Sequence, residues 1–375
     1  MAGIGIGIVG GGYMGKAHAV AMRAVGTVFN TALRPRLEMI AASSDASAQR
    51  YARAYGFSRS TGDWRSLVSD PKVEAIVIAS PPETHLEITR FAAEAGKPIF
   101  CEKPLGASIA DATAMTETVE KAGVVNMIGF NYIRTPASQF ARKLIAEGAI
   151  GEVTWFRGEH TEDFYANADE PATWRAQGEA NGCMGDLAPH MINAALALIG
   201  SIGSVMAEIE TVHTTRGGVA VTNDDQGQIM CRFAGGAMGH LFFSRTATGR
   251  KMGYIYEVTG TKGAIRFNQE DQNAIWLYKA EGPEAERGFR QILTGPAHPD
   301  YAPFCLGPGH GTGYQDQIII EARDFLAAIE AGKSLWPTFR DGLEVSAVVD
   351  AARRSSDTRG WQDVTPSSGR GEHRK

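Results

Sequence analysis

Two short stretches of this 375-residue chain carry residue types at spacings that chemistry needs. Gly10-x-Gly12-x-x-Gly15 directly follows an apolar run at residues 4–9. Between a strand and a helix, Gly10 permits a tight turn, Gly12 lets backbone approach a pyrophosphate, and Gly15 lets the helix pack on the strand. The helix N-terminus then offers N–H groups and a positive dipole end to the phosphates. Glu102-Lys103-Pro104 follows a second apolar run, residues 98–101, and so puts a lysine at the end of a buried strand. Ligands of open parallel sheets bind beyond the carboxyl ends of the strands. Ser80-Pro81-Pro82, with His85 close behind, ends another strand and should border the same crevice. Together these stretches imply a nicotinamide dinucleotide beside a lysine that meets a substrate hydroxyl, the equipment of a dehydrogenase. Taken alone, Lys103 is more simply a solvated strand-end charge.

A third stretch, Gly185-Asp186-x-x-Pro189-His190, changes that balance. Residues four apart on a helix share a face, and Pro189 puts the helix start near itself, since proline is tolerated only in the first turn. The alternative is an N-capping Asp186 and a satisfied core His190, although capping is compatible with a catalytic role. Histidine is the side chain best poised to accept a proton near neutral pH. The end of the second strand chooses the dinucleotide: an acid there accepts from the adenosine 2′-hydroxyl and repels a 2′-phosphate. Ser43 and Ser44 stand at that place, with Asp45 just beyond and Arg50 further on. The serines lean slightly to NADP, and Asp45 keeps NAD open. Tyr13 and Met14 inside the glycine motif, Glu102, Lys103 and Asn131 complete the candidate cofactor contacts.

The elements that must hold these residues follow from the apolar pattern. Strands are expected at 3–9, 37–43, 74–80, 98–101 and 124–129, alternating with helices at 15–25, 46–55, 84–95 and 109–122. This is the rhythm of a parallel sheet. Residues 26–36 read as an inserted loop. Beyond residue 130 a helix at 137–147, a strand at 152–162 and a helix at 189–198 lead into strands without intervening helices, at 205–213, 226–233, 237–246, 254–259, 264–268 and 274–278. That pattern predicts a mostly antiparallel sheet. A Gly/Pro-rich loop at 294–313 precedes helices at 314–331 and 340–356. The expected division is a dinucleotide-binding domain over 1–130, a substrate-binding domain over 131–366, and a mobile polar tail over 367–375.

Composition narrows the partners. The chain is 43% apolar and 21% charged, ordinary for a globular protein, with a formal charge of −5. That balance gives no reason to expect nucleic acid or an anionic membrane, and favours a small polar ligand. Cys101, Cys183, Cys231 and Cys305 form no C-x-x-C pair, so neither a metal site nor a disulfide framework is expected. This fits a reducing cytoplasm. The apolar N-terminus lacks a basic segment and runs straight into the glycine motif, so it reads as a first strand and not as a signal peptide. No stretch approaches the roughly 18 apolar residues of a membrane span.

The ordered set of motifs resembles the glucose–fructose oxidoreductase / inositol dehydrogenase / MocA (Gfo/Idh/MocA) family over nearly the full length. It comprises Val9-Gly10-Gly11-Gly12-Tyr13-Met14-Gly15-x-x-His18, Ser80-Pro81-Pro82-x-x-His85, Glu102-Lys103-Pro104-Leu105, Gly129-Phe130-Asn131-Tyr132-x-Arg134-x-Pro136, Gly148-x-Ile150-Gly151 and Gly185-Asp186-x-x-x-His190. The resemblance implies an α/β fold: an N-terminal Rossmann domain with a doubly wound parallel sheet, and a C-terminal α+β domain whose large open sheet makes a homodimer or homotetramer. It implies a catalytic set of Lys103, Asp186 and His190 and a cis Lys103–Pro104 bond. Ser43-Ser44 departs from the acid that many members carry, which puts the NAD or NADP choice in question. Asp163-Phe164-Tyr165 through Pro171-x-x-Trp174-Arg175 is similar to the subgroup acting on cyclic polyols, pyranoses and anhydrosugars.

The reaction expected is reversible oxidation of a secondary ring alcohol to a ketone, with hydride passing to nicotinamide C4. His190 takes the hydroxyl proton, cationic Lys103 stabilises the developing alkoxide, and Asp186 holds a neighbouring hydroxyl or orients the lysine. Lys103 and His190 on one oxygen leave the base open, because coupled groups share their titration. Asn131 and Tyr132 are candidates for sugar hydroxyls, and Trp174 for stacking on a sugar face. Tyr132 and Trp174 could equally be core residues. Arg175 selects an acidic substituent or pairs with a carboxylate. His310 sits in the glycine-rich loop, Cys183 reads as packing, and His18 as a helix-packing residue. Two other functions compete: an NAD-dependent glycosidase of the same fold, and a nucleotide-sensing protein without catalysis. The intact Lys103, Asp186 and His190 favour the dehydrogenase over both.

Overall fold

Ala-Ile-Val-Ile at Ala75–Ile78 has no solvent exposure on either face, as the central strand of a parallel sheet requires. Around it stand β1 (Ala2–Val9), α1 (Tyr13–Phe29), β2 (Leu33–Ala41), α2 (Asp45–Tyr55), β3 (Arg59–Thr61), α3 (Trp64–Ser69), β4 (Ala75–Ile78), α4 (His85–Glu94), β5 (Ile99–Cys101), α5 (Ile109–Ala122) and β6 (Asn126–Ile128). The strands pair in parallel in the order β3-β2-β1-β4-β5-β6. The order reverses between β1 and β4, the switch point at which such sheets bind ligands. The structure, a computed structural model, describes residues 2–365. The mobile tail expected at 367–375 lies outside them.

The second sheet begins after α6 (Pro136–Ala146) with β7 (Val153–Thr161). Helices α7 (Cys183–Asp186) and α8 (Ala188–Leu198) follow. Then come β8 (Ile202–Glu210), β9 (Thr215–Arg216), β10 (Val219–Ala220), β11 (Gln226–Phe233), β12 (Met238–Ser244), β13 (Gly253–Gly260), β14 (Gly263–Asn268), β15 (Ala274–Lys279) and β16 (Arg290–Leu293). The last elements among the described residues are α9 (Tyr314–Ala331), α10 (Phe339–Thr358) and β17 (Gln362–Asp363). Nine strands form one sheet in the order β16-β15-β14-β13-β7-β12-β11-β8-β17, antiparallel except for the β7–β12 pair. Inward residues alternate along the strands: Ile229, Cys231 and Phe233 of β11 are buried, while Met230 between them is 48% exposed. Contacts divide the chain into one unit of residues up to Arg134 with Gly313–Leu343, and another of Thr135–Thr312 with the chain from Glu344 onward. Helix α9 and the segment after it therefore return to the first unit, although sequence order places them after the second.

The inserted loop expected at 26–36 is absent. Helix α1 continues to Phe29, and β2 begins at Leu33. Gly26, which reads as a terminator, is a packing position inside the helix: a Cβ there would lie 2.6 Å from the Arg34 guanidinium. Pro35 hides the start of β2, yet parallel pairing to Ile4 accommodates it. The short β3, α3, β9, β10, β16 and β17 carry too few residues for a periodic signal. Among the described residues no helix is long and apolar enough to cross a membrane.

Candidate active site

In the first unit the candidate residues gather at the carboxyl ends of β1, β2, β4, β5 and β6. Gly10 has φ +107°, and a Cβ there would lie 2.3 Å from the Ala79 carbonyl oxygen. A Cβ on Gly15 would lie 2.0 Å from the Gly10 carbonyl oxygen. Gly12 has open space where its side chain would be, and caps α1 without a side-chain bond. A bare turn with room above a helix N-terminus is the shape a pyrophosphate needs, so the residues fit a dinucleotide. Tyr13 is 72% exposed and stacks on Tyr314 at 5.9 Å; Tyr132 lies 6.3 Å from the same ring. Tyr314 reaches back to Met14 Sδ at 3.3 Å.

At the end of β2, Ser43 is exposed, and Ser44 caps α2 by accepting from the Ser47 N–H. Asp45 Oδ1 accepts from the Gly62 N–H at 2.6 Å. Arg50 is exposed over the Tyr51 ring. On β4's turn, Ser80 Oγ pairs with Thr84 Oγ1 at 2.6 Å.

Three residues make contacts that their sequence reading did not include. His85, expected to contact the cofactor, is fully buried, with Nε2 2.9 Å from the Ser80 carbonyl and Nδ1 3.1 Å from the Pro104 and Leu105 carbonyls. Burial pushes its imidazole below the ordinary value. It staples two turns together and has no face left for a ligand. Glu102, also expected at the cofactor, is buried, with Oε1 2.6 Å from His18 Nε2 and Oε2 accepting from the Lys103 N–H at 3.3 Å. His18, expected only to pack a helix, is that carboxylate's partner. Lys103 is half-buried, and its bond to Pro104 is cis. Asn131 is buried and donates to Gln317 Oε1 at 3.0 Å, while Tyr132 is half-buried.

In the second unit Asp186 closes the one-turn α7, and His190 lies in the first turn of α8. Asp186 is not the cap of α8; Leu187 holds that position without a side-chain bond. The Asp186 carboxylate instead pairs with the Arg175 guanidinium. That guanidinium lies 4.5 Å from the Trp174 ring and 5.6 Å from Phe164. Trp174 is 60% exposed, which removes its reading as a core residue. His190 is buried, its ring centroid 5.5 Å from that of His160 in an edge-on arrangement. His160, invisible to motif reading, sets Nδ1 2.9 Å from the Leu187 carbonyl and Nε2 3.1 Å from Glu162 Oε1. His310 is exposed, and its Nδ1 lies 3.3 Å from Cys305 Sγ. Cys183 is buried and its thiol is pushed up by burial, in keeping with packing.

What fixes Asp186 and Arg175 is a run of buried polar residues that sequence reading passed over. Asn223, Asp224 and Asp225 are each at most 5% exposed. Asp224 Oδ2 accepts from the Met184 N–H at 2.6 Å, which anchors the start of α7. Asn223 donates to the Arg175 carbonyl, at 2.9 Å, and so does fully buried Arg245, at 2.8 Å. Arg245 is itself held by Asp225 at 2.9 Å. The Arg216 and Arg245 guanidinium groups lie 4.0 and 4.5 Å from the centre of the Tyr165 ring. The Asn-Asp-Asp triplet in the sequence is the signal available, but it reads as a turn.

Comparison with known proteins agrees with this geometry. Residues 4–130 match the oxidoreductase family with an NAD-binding Rossmann fold, and residues 138–266 match the GFO/IDH/MocA C-terminal domain. The levoglucosan dehydrogenase of Pseudarthrobacter phenanthrenivorans is 39% identical, over 97% of this chain and 99% of that one. The inositol 2-dehydrogenase of Rhizobium meliloti is 29% identical, over 93% and 96%. A levoglucosan dehydrogenase solved with NADH and levoglucosan superposes with a TM-score of 0.95 at 39% identity, covering 97% of this chain and all of that one (100%). The chain belongs to the Gfo/Idh/MocA family of NAD-binding Rossmann-fold oxidoreductases.

Proposed function

We propose that this oxidoreductase oxidises a secondary ring hydroxyl of an anhydropyranose of the levoglucosan class, reversibly, to the ketone. The observation that carries this reading is the full-length likeness to levoglucosan dehydrogenase, at 39% identity, together with Lys103, Asp186 and His190 in this chain. Bound nicotinamide supplies the hydride acceptor. The open turn at Gly12 receives the pyrophosphate. Lys103 donates a hydrogen bond to the carbinol oxygen and stabilises negative charge as it develops there. His190 takes the hydroxyl proton. Asp186, paired with Arg175, accepts from a neighbouring hydroxyl and fixes the ring, and exposed Trp174 offers an apolar face to the sugar C–H groups. Asn131, Tyr132 and His310 complete the substrate contacts in this reading. Product analysis tests it: a ketone two hydrogens lighter than levoglucosan, with the anhydro ring intact, is expected. A cleaved ring would favour the glycosidase chemistry instead.

Three finer readings accompany it. NAD is used, and NADP is accepted as well, because Asp45 is occupied by the Gly62 N–H while Ser43 and Arg50 remain exposed. A KM for NADP more than about 100-fold above that for NAD, near 3 kcal/mol, contradicts this. The outward face of the nine-stranded sheet, with Met230 and Met238 each 48% exposed, covers itself in a homo-oligomer. A monomer at micromolar concentration in light scattering contradicts that. Three buried thiols and an unpaired Cys305 suit a reducing cytoplasm.

A further inference from the structure

Lys103 is followed by a proline and preceded by a buried carboxylate. The backbone on both sides of it is tied down by a buried histidine. On one side, Glu102 Oε2 accepts the Lys103 N–H at 3.3 Å, while Oε1 is held 2.6 Å from His18 Nε2. On the other, His85 Nδ1 lies 3.1 Å from the Pro104 carbonyl. Glu102 is 7% exposed and His18 1%. Gly129 makes the room: a Cβ there would meet Glu102 Oε1 at 3.1 Å.

Glu102 is also the negative centre of the groups around it. Its charge raises the Cys101 thiol on β5, the Tyr314 hydroxyl and the Glu321 carboxyl on α9, and works against the burial that lowers His85. Glu321 is fully buried, and burial, then Glu102, push its carboxyl well up, with Arg134 and the Phe130 backbone N–H opposing. Glu102 faces the His18 ring and the Lys103 N–H. A buried carboxylate whose partner is removed costs several kcal/mol, so the pair is not a casual surface contact.

We propose that Glu102, held by His18, is the positioning residue of Lys103: a buried carboxylate that fixes the lysine backbone and provides the local charge in which the lysine amine works. This rests on the reading of Lys103 as the group that meets the carbinol oxygen, and differs from a role for Glu102 in touching the dinucleotide.

The test compares Glu102→Gln and His18→Gln with wild type, each as the full chain with bound dinucleotide. Expected is a fall in kcat of at least about tenfold for Glu102→Gln, with a smaller fall for His18→Gln. The pH–rate profile should be displaced, and the dinucleotide Kd should stay within about twofold. A second readout needs no substrate: the rate at which Lys103 is acylated by acetic anhydride across pH, followed by peptide mass spectrometry. That profile should shift in both variants. Unchanged kcat and unchanged acylation overturn the proposal, as does loss of dinucleotide binding with acylation unaltered. Should Glu102→Gln not fold, His18→Gln decides by the same two readouts. Should wild type oxidise no ring polyol, the proposed function fails while the acylation profile still decides this inference.

Discussion

At the scale of single residues, Arg175 is the side chain whose sequence reading left most open. It pairs with Asp186 and lies over two aromatic rings, so it acts on a carboxylate of its own chain before it meets any ligand. Arg175→Ala is expected to lower kcat/KM for the sugar about 10- to 100-fold, one to three kcal/mol for a lost charge-assisted bond. Arg175→Lys should recover only part of this, since the planar fork and its stacking are lost. Steady-state kinetics with the dinucleotide saturating checks both. Lys103, Asp186 and His190 could be named as candidates because their motifs are short and ordered in sequence. The His18–Glu102 pair was not, because its members stand 84 positions apart and a histidine three residues past a glycine motif has an ordinary packing explanation.

At the scale of elements, the turn after β1 and the joint between β3 and α3 make separate predictions. Gly15→Ala would press a methyl group to 2.0 Å from the Gly10 carbonyl oxygen. Relief requires α1 to shift, at a cost of about 1–3 kcal/mol for overpacking. Calorimetry should show that loss, and dinucleotide affinity should fall with it. Beyond α3, Arg59 of β3 clamps Asp70 and Glu38 together and holds the Asp70 carboxyl down to about 2, against an ordinary 3.8. A depressed carboxyl stabilises the fold above its unfolded value and loses that contribution as pH falls through the folded one. Wild type should therefore shed about 1 kcal/mol more than Asp70→Asn between pH 4 and pH 2, a figure reduced for the partly exposed partners. Denaturant titrations across that range measure it. Long periodic elements such as α5, β11 and α9 were legible to the residue. Helix α1 was not, because Gly26 serves close packing where sequence logic expects an end.

At the scale of the whole molecule, the two-sheet architecture followed from one change of rhythm near residue 130, where helices cease to alternate with strands. The return of Gly313–Leu343 to the first unit did not, because helical periodicity gives an apolar face but not the sheet it covers. The buried polar strap of Asn223, Asp224, Asp225 and Arg245 was also unreadable, since its partners lie 20–70 positions away. Arg245→Met should remove the clamp and strand the Asp225 carboxylate, costing about 3–5 kcal/mol. Thermal unfolding would show it as a clear drop in Tm. Saturating NAD at 100 times its Kd should add about 2.7 kcal/mol to wild type.

The central claim is that Lys103 makes a dinucleotide-binding unit a dehydrogenase of ring hydroxyls. The most direct measurement is nicotinamide reduction by wild type and Lys103→Ala, with levoglucosan, inositols and pyranoses offered in turn with NAD and with NADP. The account predicts reduction with the anhydrosugar, and in Lys103→Ala a fall in kcat of about 100-fold or more with dinucleotide binding intact by thermal shift. Near-full turnover in Lys103→Ala, or no reduction by a wild-type protein that binds the dinucleotide, would contradict it.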